Sequence, residues 1–157
     1  MKIHNFEDSL KVGESGEKLF LDAFGEEWGL VDVRKNPEYQ ERDIDFLAKG
    51  KTIELKTDTY TNGNMFLETI SAKEIESKGY VYKSQADYLC YLFVNFKVMF
   101  IFDLPRLREW VKSNAPQLVE YKKELTNSYP GGYYTSEGYA IPVREVCKNV
   151  PCKRFDF

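Results

Sequence analysis

The chain has 157 residues, with 22 Lys and Arg against 25 Asp and Glu, 43% apolar residues and 15% aromatic ones. These proportions predict one folded domain over residues 1–157 and exclude a disordered polar chain, because the apolar surface can offset the ordering entropy. The net charge of -3 gives no bulk attraction to nucleic acid, so a polyanionic partner needs a local basic patch or bound cations.

Met1 to Val12 carries scattered charges and no apolar h-region, which argues against a secretory signal and for a cytoplasmic location. The apolar residues Leu19, Phe20, Ala23 and Phe24 fall at helical spacing, predicting a helix over Ser15 to Phe24 with Gly13 and Gly16 at its start and Gly25 after it. Glu14 and Glu17 would then be first-turn charges favourable to the helix dipole. Gly29 to Arg34 reads as a strand running into a turn at Asn36-Pro37. Arg42 to Ala48 and Lys51 to Thr57 alternate polar and apolar residues around Lys49-Gly50, the pattern of a hairpin. Met65 to Ile70 predicts a further strand and Ala72 to Ser77 a short helix. Ala86 to Phe93 with Lys97 to Phe102 predicts a strand pair. The run Tyr88 to Phe96, broken by Asn95, is far short of the ~20 residues that cross a bilayer, so no membrane partner is expected. Pro105 to Ser113 reads as a helix with a Leu107, Trp110, Val111 stripe, and Gly138 to Val143 as a last strand after a Gly131-Gly132 loop. Cys90, Cys147 and Cys152 are odd in number and lack zinc-knuckle spacing, which predicts free thiols. The mixture of helices and strands predicts an α/β fold.

The hairpin carries the chemistry. A two-residue turn at Lys49-Gly50 sets Ala48 against Lys51, Phe46 against Ile53, Asp45 against Glu54 and Asp43 against Lys56. Side chains alternate across a strand, so Asp43, Asp45, Glu54 and Lys56 share one polar face while Ile44, Phe46, Ile53 and Leu55 share the apolar one. Opposed carboxylates repel, and a hard divalent cation removes the penalty. Oxygen donors from Asp45 and Glu54, with the Leu55 carbonyl, suit Mg²⁺ or Mn²⁺. Lys56 beside them can act on a water or stabilise charge on phosphorus. Glu17 adds a carboxylate if its helix crosses near the hairpin. An antiparallel hairpin with one solvated face would show the same alternation with no metal.

Glu17, Asp45 and Glu54-Leu55-Lys56, in that order on helix, strand and strand, resemble the PD-(D/E)xK nuclease superfamily, most nearly its small archaeal and phage Holliday-junction-resolvase-like members. Gly16-Glu17, Asp45-Phe46-Leu47-Ala48, Glu54-Leu55-Lys56-Thr57, Gln40 to Asp45 and Thr61 to Glu68 are similar to segments of those proteins, over about residues 13 to 72. Ile44 stands where the motif has Pro. The resemblance implies a restriction-endonuclease-like fold, a mixed four- or five-stranded central sheet flanked by helices. It also implies Mg²⁺-dependent hydrolysis of DNA, with Glu17, Asp45 and Glu54 binding metal and Lys56 catalytic. A resolvase-like role would need two sites and hence a homodimer.

Arg42, Lys73 and Lys83 are candidates for holding phosphates, and Glu68 and Ser71 for the metal rim or the substrate. Tyr80, Tyr82 and Tyr133-Tyr134 are candidates for stacking on bases, or else core. His4 is the single histidine and lacks a partner motif, so a His-based or Cys-His enzyme is excluded. No Gly-rich phosphate loop is present. The competing reading is a catalytically weak DNA-binding or assembly module on the same fold.

Overall fold

The computed structural model describes residues 3–157. After a short strand β1 (Ile3–Asn5), helix α1 covers Phe6–Phe24. Its cap is Asn5, whose side chain accepts from the Glu7 and Asp8 backbone N–H groups at 2.8 and 3.4 Å. The helix thus begins nine residues before the expected Ser15. Phe6 and Leu10 are exposed, so the first two turns carry no buried stripe for periodicity to reveal. Glu14 and Glu17 lie mid-helix, and the first-turn acids are Glu7 and Asp8.

Strand β2 (Val31–Asp32) is followed by α2 (Pro37–Glu41), where a plain turn was expected. The Asn36 side chain accepts from Glu38 N–H at 3.0 Å and Pro37 occupies the first turn. The hairpin then forms between β3 (Phe46–Ala48) and β4 (Lys51–Asp58). Lys49 and Gly50 both take positive φ, 50° and 79°, as a tight primed turn requires. Phe46 pairs with Ile53 and Ala48 with Lys51, the expected register. The ladder ends there, because Asp43 has φ 50° and turns the chain away. Two consequences depart from expectation. Asp43 does not stand opposite Lys56 in the ladder, and Ile44 packs in a different core from Phe46, Ile53 and Leu55.

The remaining elements are β5 (Asn64–Ala72), a 3-10 turn at Lys73–Ile75, β6 (Ser77–Lys78), α3 (Tyr80–Lys83), β7 (Tyr88–Phe93), β8 (Val98–Asp103), α4 (Leu104–Ser113), β9 (Lys122–Tyr129), β10 (Gly132–Pro142), α5 (Val143–Asn149) and β11 (Cys152–Asp156). They form an α/β fold with two mixed sheets instead of one. A six-stranded sheet has the order β11-β8-β7-β4-β3-β2, and a five-stranded one β1-β9-β10-β5-β6. β4 and β7 run parallel, as do β1 and β9, and the other neighbours are antiparallel. The second sheet was hidden because β9 is polar and half exposed, with no apolar alternation. β10 starts six residues before the expected strand and passes through a bulge at Glu137 and Gly138.

The six-stranded sheet is covered on both faces, which accounts for the continuous apolar run in β7. Ile53, Leu55, Cys90 and Leu92 pack under α1 with Phe20 and Phe24. Leu89, Tyr91 and Phe93 face the other way, onto Met65, Leu67 and Ile141 of the second sheet and Leu107 and Val111 of α4. Glu54, Lys56 and Asp58 lie on this second face, so the polar side of the hairpin is not a solvated surface. Glu54 is only 3% exposed and Asp58 7%. Burying these charges costs free energy that a purely structural sheet could avoid.

Helix α1 crosses β4 at Gly16. A Cβ there would overlap the Thr57 side chain, reaching its Cβ at 2.7 Å. Gly16→Ala is therefore expected to push the helix off the sheet and destabilise the fold by about 2 kcal/mol, as overpacking does. Thr57→Ala should restore part of the loss. Thermal melts of the two single variants and the double variant measure it, and additive losses would show that Gly16 and Thr57 do not clash.

Cys147 and Cys152 form a disulfide across the end of α5 and the start of β11, with Cα atoms 5.7 Å apart, where free thiols were expected. Sequence spacing could not show that the chain folds back between them. Cys90 is a buried free thiol, as expected. Among the described residues no helix is long and apolar enough to cross a membrane.

Candidate active site

Two adjoining clefts open over the polar face of β4. The larger, about 650 Å³, lies between the sheets beside α1 and is lined by Glu17, Asp58, Phe66, Glu68 and Tyr80 among others. The smaller, about 380 Å³, is lined by Arg34, Gln40, Asp43 and Ile44. Asp45, Glu54 and Lys56 line both, and so form the partition between them.

Each of the three is held by strand geometry. Asp45 sits just past the ladder, where its N–H donates to the Ile53 carbonyl at 2.8 Å and its carbonyl accepts from Val33 N–H at 3.0 Å. Its Oδ2 accepts from Leu55 N–H at 2.8 Å, which draws the carboxylate onto β4. Glu54 and Lys56, two residues apart, project together from β4, and the Lys56 ammonium lies 2.7 Å from the Glu54 carboxylate. The ammonium also sits 4.9 Å from the centre of the Tyr80 ring. Tyr80 is buried, with its hydroxyl donating to the Phe66 carbonyl at 2.7 Å, so it belongs to the wall of the cleft and is no exposed stacking platform.

Burial sets the electrostatics. It pushes the Glu54 carboxyl up to about 8, against the pull of Lys56 and with the help of neighbouring Asp45. Asp45 is also raised by burial, which outweighs the Leu55 N–H, the Lys56 charge and a hydrogen bond from Glu54. Burial thus favours the protonated form of both carboxyls. For Lys56, burial opposes the charge, but the Glu54 carboxylate and its hydrogen bond outweigh it and keep the ammonium protonated.

Glu17 reaches the larger cleft from α1, but Arg34 takes it as an ion-pair partner. Arg34 also pairs with Asp32 at 2.6 Å, stands 5.2 Å from the Phe46 ring centre and lends positive charge to Asp45. Sequence reasoning passed over Arg34. Its one signal was a cation at the end of the strand that runs beside the acidic hairpin. Among the described residues no three His, Cys, Asp or Glu side chains converge as a ready metal-holding group. The carboxylate oxygens of Asp45 and Glu54, which line the same clefts, are nevertheless the donor type that Mg²⁺ or Mn²⁺ takes. Leu55 lines the same cleft.

Of the expected phosphate-holding residues, Arg42 bonds Gln85 at 3.3 Å and lies over the Tyr39 ring, and Lys83 pairs with Asp43 at 3.4 Å beside the smaller cleft. Lys73 is drawn away to Glu124 and Glu137 of β9 and β10 and does not line either cleft. Ser71 bonds Ser77. Glu68 enters the larger cleft from the second sheet. Compared with protein-family models, curated proteins and solved structures, the chain has no match.

Proposed function

We propose that this chain is a metal-dependent nuclease of restriction-endonuclease-like fold that hydrolyses DNA phosphodiester bonds. The observation that carries the reading is the meeting of Asp45, buried Glu54 and Lys56 at the partition between the two clefts. A buried acid pair with a paired ammonium is costly in a plain scaffold and useful where charge must be stabilised on a phosphate. The order of Glu17, Asp45 and Glu54-Leu55-Lys56 along the chain supports the same reading.

Asp45 and Glu54, with Glu17 once released from Arg34 and the Leu55 carbonyl beside them, would hold Mg²⁺ or Mn²⁺. The ion would supply Lewis acidity and help to generate the attacking nucleophile. Asp45 keeps its orientation through Leu55 N–H, so it meets the substrate preorganised. Lys56 stays cationic and contributes positive charge where negative charge builds on the phosphoryl oxygens during in-line attack. Arg34 lines the smaller cleft and Lys83 pairs with Asp43 of its lining, and with Arg42 they would offer charge to neighbouring phosphates, which is how an acidic protein could grip DNA locally.

Supercoiled plasmid, single strands and a four-way junction, incubated with Mg²⁺, Mn²⁺ or EDTA, test the reading. Cleavage should require the cation, and the preferred substrate would name the DNA structure acted on. DNA binding with no cleavage under any condition would favour a binding module on this fold.

A further inference from the structure

Arg34 belongs to the smaller cleft, yet it is paired with an anion of the larger one, and the way it is held explains what that pair can do. Its backbone is fixed first. Val33 N–H donates to the Asp45 carbonyl at 3.0 Å, and Asn36 N–H closes a turn onto the Val33 carbonyl at 3.0 Å. Arg34 therefore leaves the chain from a turn pinned beside Asp45. Its side chain is fixed next. Nε and Nη2 donate to the two carboxylate oxygens of Asp32 at 2.9 and 2.6 Å, and Arg34 N–H donates to the same carboxylate at 3.0 Å. The guanidinium carbon lies 5.2 Å from the centre of the Phe46 ring.

Asp32 thus occupies one edge of the guanidinium, and the remaining nitrogen, Nη1, pairs with Oε2 of Glu17. Glu17 comes from α1 at the position after Gly16, whose packing on Thr57 sets the helix against β4. The ion pair joins the linings of the two clefts, with Asp45, Glu54 and Lys56 common to both. Each side chain is 27% exposed, so an anion from solvent can reach Nη1, and a pair this wet is weak enough to exchange. Glu17 then has two competing uses, as counter-ion of Arg34 or as a third carboxylate beside Asp45 and Glu54. Arg34 likewise can hold Glu17 or a phosphate.

We propose that Arg34 is a phosphate-operated latch on Glu17: a substrate phosphate entering the smaller cleft takes Nη1 from Glu17, and the released carboxylate becomes available to a divalent cation at Asp45 and Glu54. Asp32 and the Phe46 ring keep the guanidinium in place during the exchange, so a single ion pair changes partners. Phosphate and cation are thereby coupled, each favouring the other by the same factor. The latch rests on the nuclease reading for the identity of both ligands.

The test titrates two probes separately by calorimetry into the wild type, Arg34→Ala, Glu17→Gln and the double variant. One probe is Mg²⁺. The other is thymidine 3′,5′-bisphosphate, which carries phosphates but no diester bond to cleave. Glu17→Gln should bind the bisphosphate about 5-fold tighter, the scale of one partly exposed ion pair, and the gain should vanish when Arg34 is also replaced. Arg34→Ala should bind Mg²⁺ about 5-fold tighter, and that gain should vanish when Glu17 is also replaced. The cycles are needed because removing any charge shifts the affinity for ions at a distance, and only the pairwise part requires both residues. Arg34→Gln takes the place of Arg34→Ala if the latter melts early.

Gains that survive the second substitution overturn the latch, since they come from net charge alone. Bisphosphate binding indifferent to Arg34→Ala overturns it by placing the phosphate elsewhere. Both gains in a protein whose wild type cleaves no DNA uphold the latch and remove the nuclease reading. Cleavage with neither gain keeps the nuclease reading and removes the latch, and no Mg²⁺ uptake by any variant removes both.

Discussion

Asp45→Asn combined with Lys56→Ala is expected to reduce metal-dependent DNA cleavage by at least about 10³-fold, since each change removes charge preorganised for the transition state. Asn at 45 keeps an oxygen for Leu55 N–H, so the turn between β3 and β4 should survive. The loss can then be assigned to charge and not to unfolding. DNA affinity should be retained, because the negative charge removed at Asp45 and the positive charge removed at Lys56 offset one another. The decisive measurement is single-turnover cleavage with excess enzyme, alongside a filter or polarisation binding assay in EDTA. Cleavage that persists in the double variant would place the reacting centre elsewhere. Loss of binding together with cleavage would point to a damaged surface. Arg34 neutralises Glu17 and Asp32 at the rim and also lends positive charge to Asp45, so Arg34→Ala alters the partition as well as its own ion pairs.

The second large effect is on stability. Glu54 binds its proton more tightly in the folded protein, with a value of about 8, than in the unfolded chain, where an ordinary glutamate titrates near 4.5. Between those limits the folded state keeps a proton that the unfolded state has lost. Stability from this group is therefore fully present below the unfolded value and falls as pH rises toward about 8. The interval corresponds to a loss on the order of 5 kcal/mol. Asp45 and Asp58, also raised by burial, contribute in the same direction. Glu137, lowered by its ion pairs with Lys122 and Lys73 despite burial, acts oppositely, but only where pH falls below the ordinary carboxylate range. In EDTA the melting temperature should decline from pH 5 to pH 8, and Glu54→Gln should flatten the slope. Mg²⁺ should reverse it, because a cation needs the deprotonated carboxylates and gains affinity as protons leave. A melting temperature independent of pH over this range, with EDTA present, would show that Glu54 is not desolvated as described.

The sequence carried the hairpin, its register and the chemistry of its charged positions, because turn type and strand alternation are local properties. Lys49-Gly50 needed two positive φ angles, and from there Phe46 against Ile53 followed by counting. The β7 and β8 pair and helix α4 were legible for the same reason: their apolar residues repeat at short, regular intervals. Glu17, Asp45, Glu54 and Lys56 were all singled out in advance, and all four line the larger cleft. Tertiary structure alone decided that the polar face of β4 is buried. That depends on a second sheet whose strand β9 is polar, and on close approaches to the β5 backbone at Gly79 and Gly138, where a glycine leaves no side-chain pattern to read. It also decided that Asp43 and Ile44 leave the ladder, that Arg34 captures Glu17, and that Cys147 meets Cys152. Each of these joins residues that local periodicity leaves unrelated. Periodicity tells which face of an element is apolar, and only the packing of elements tells what that face, or the polar one behind it, is pressed against.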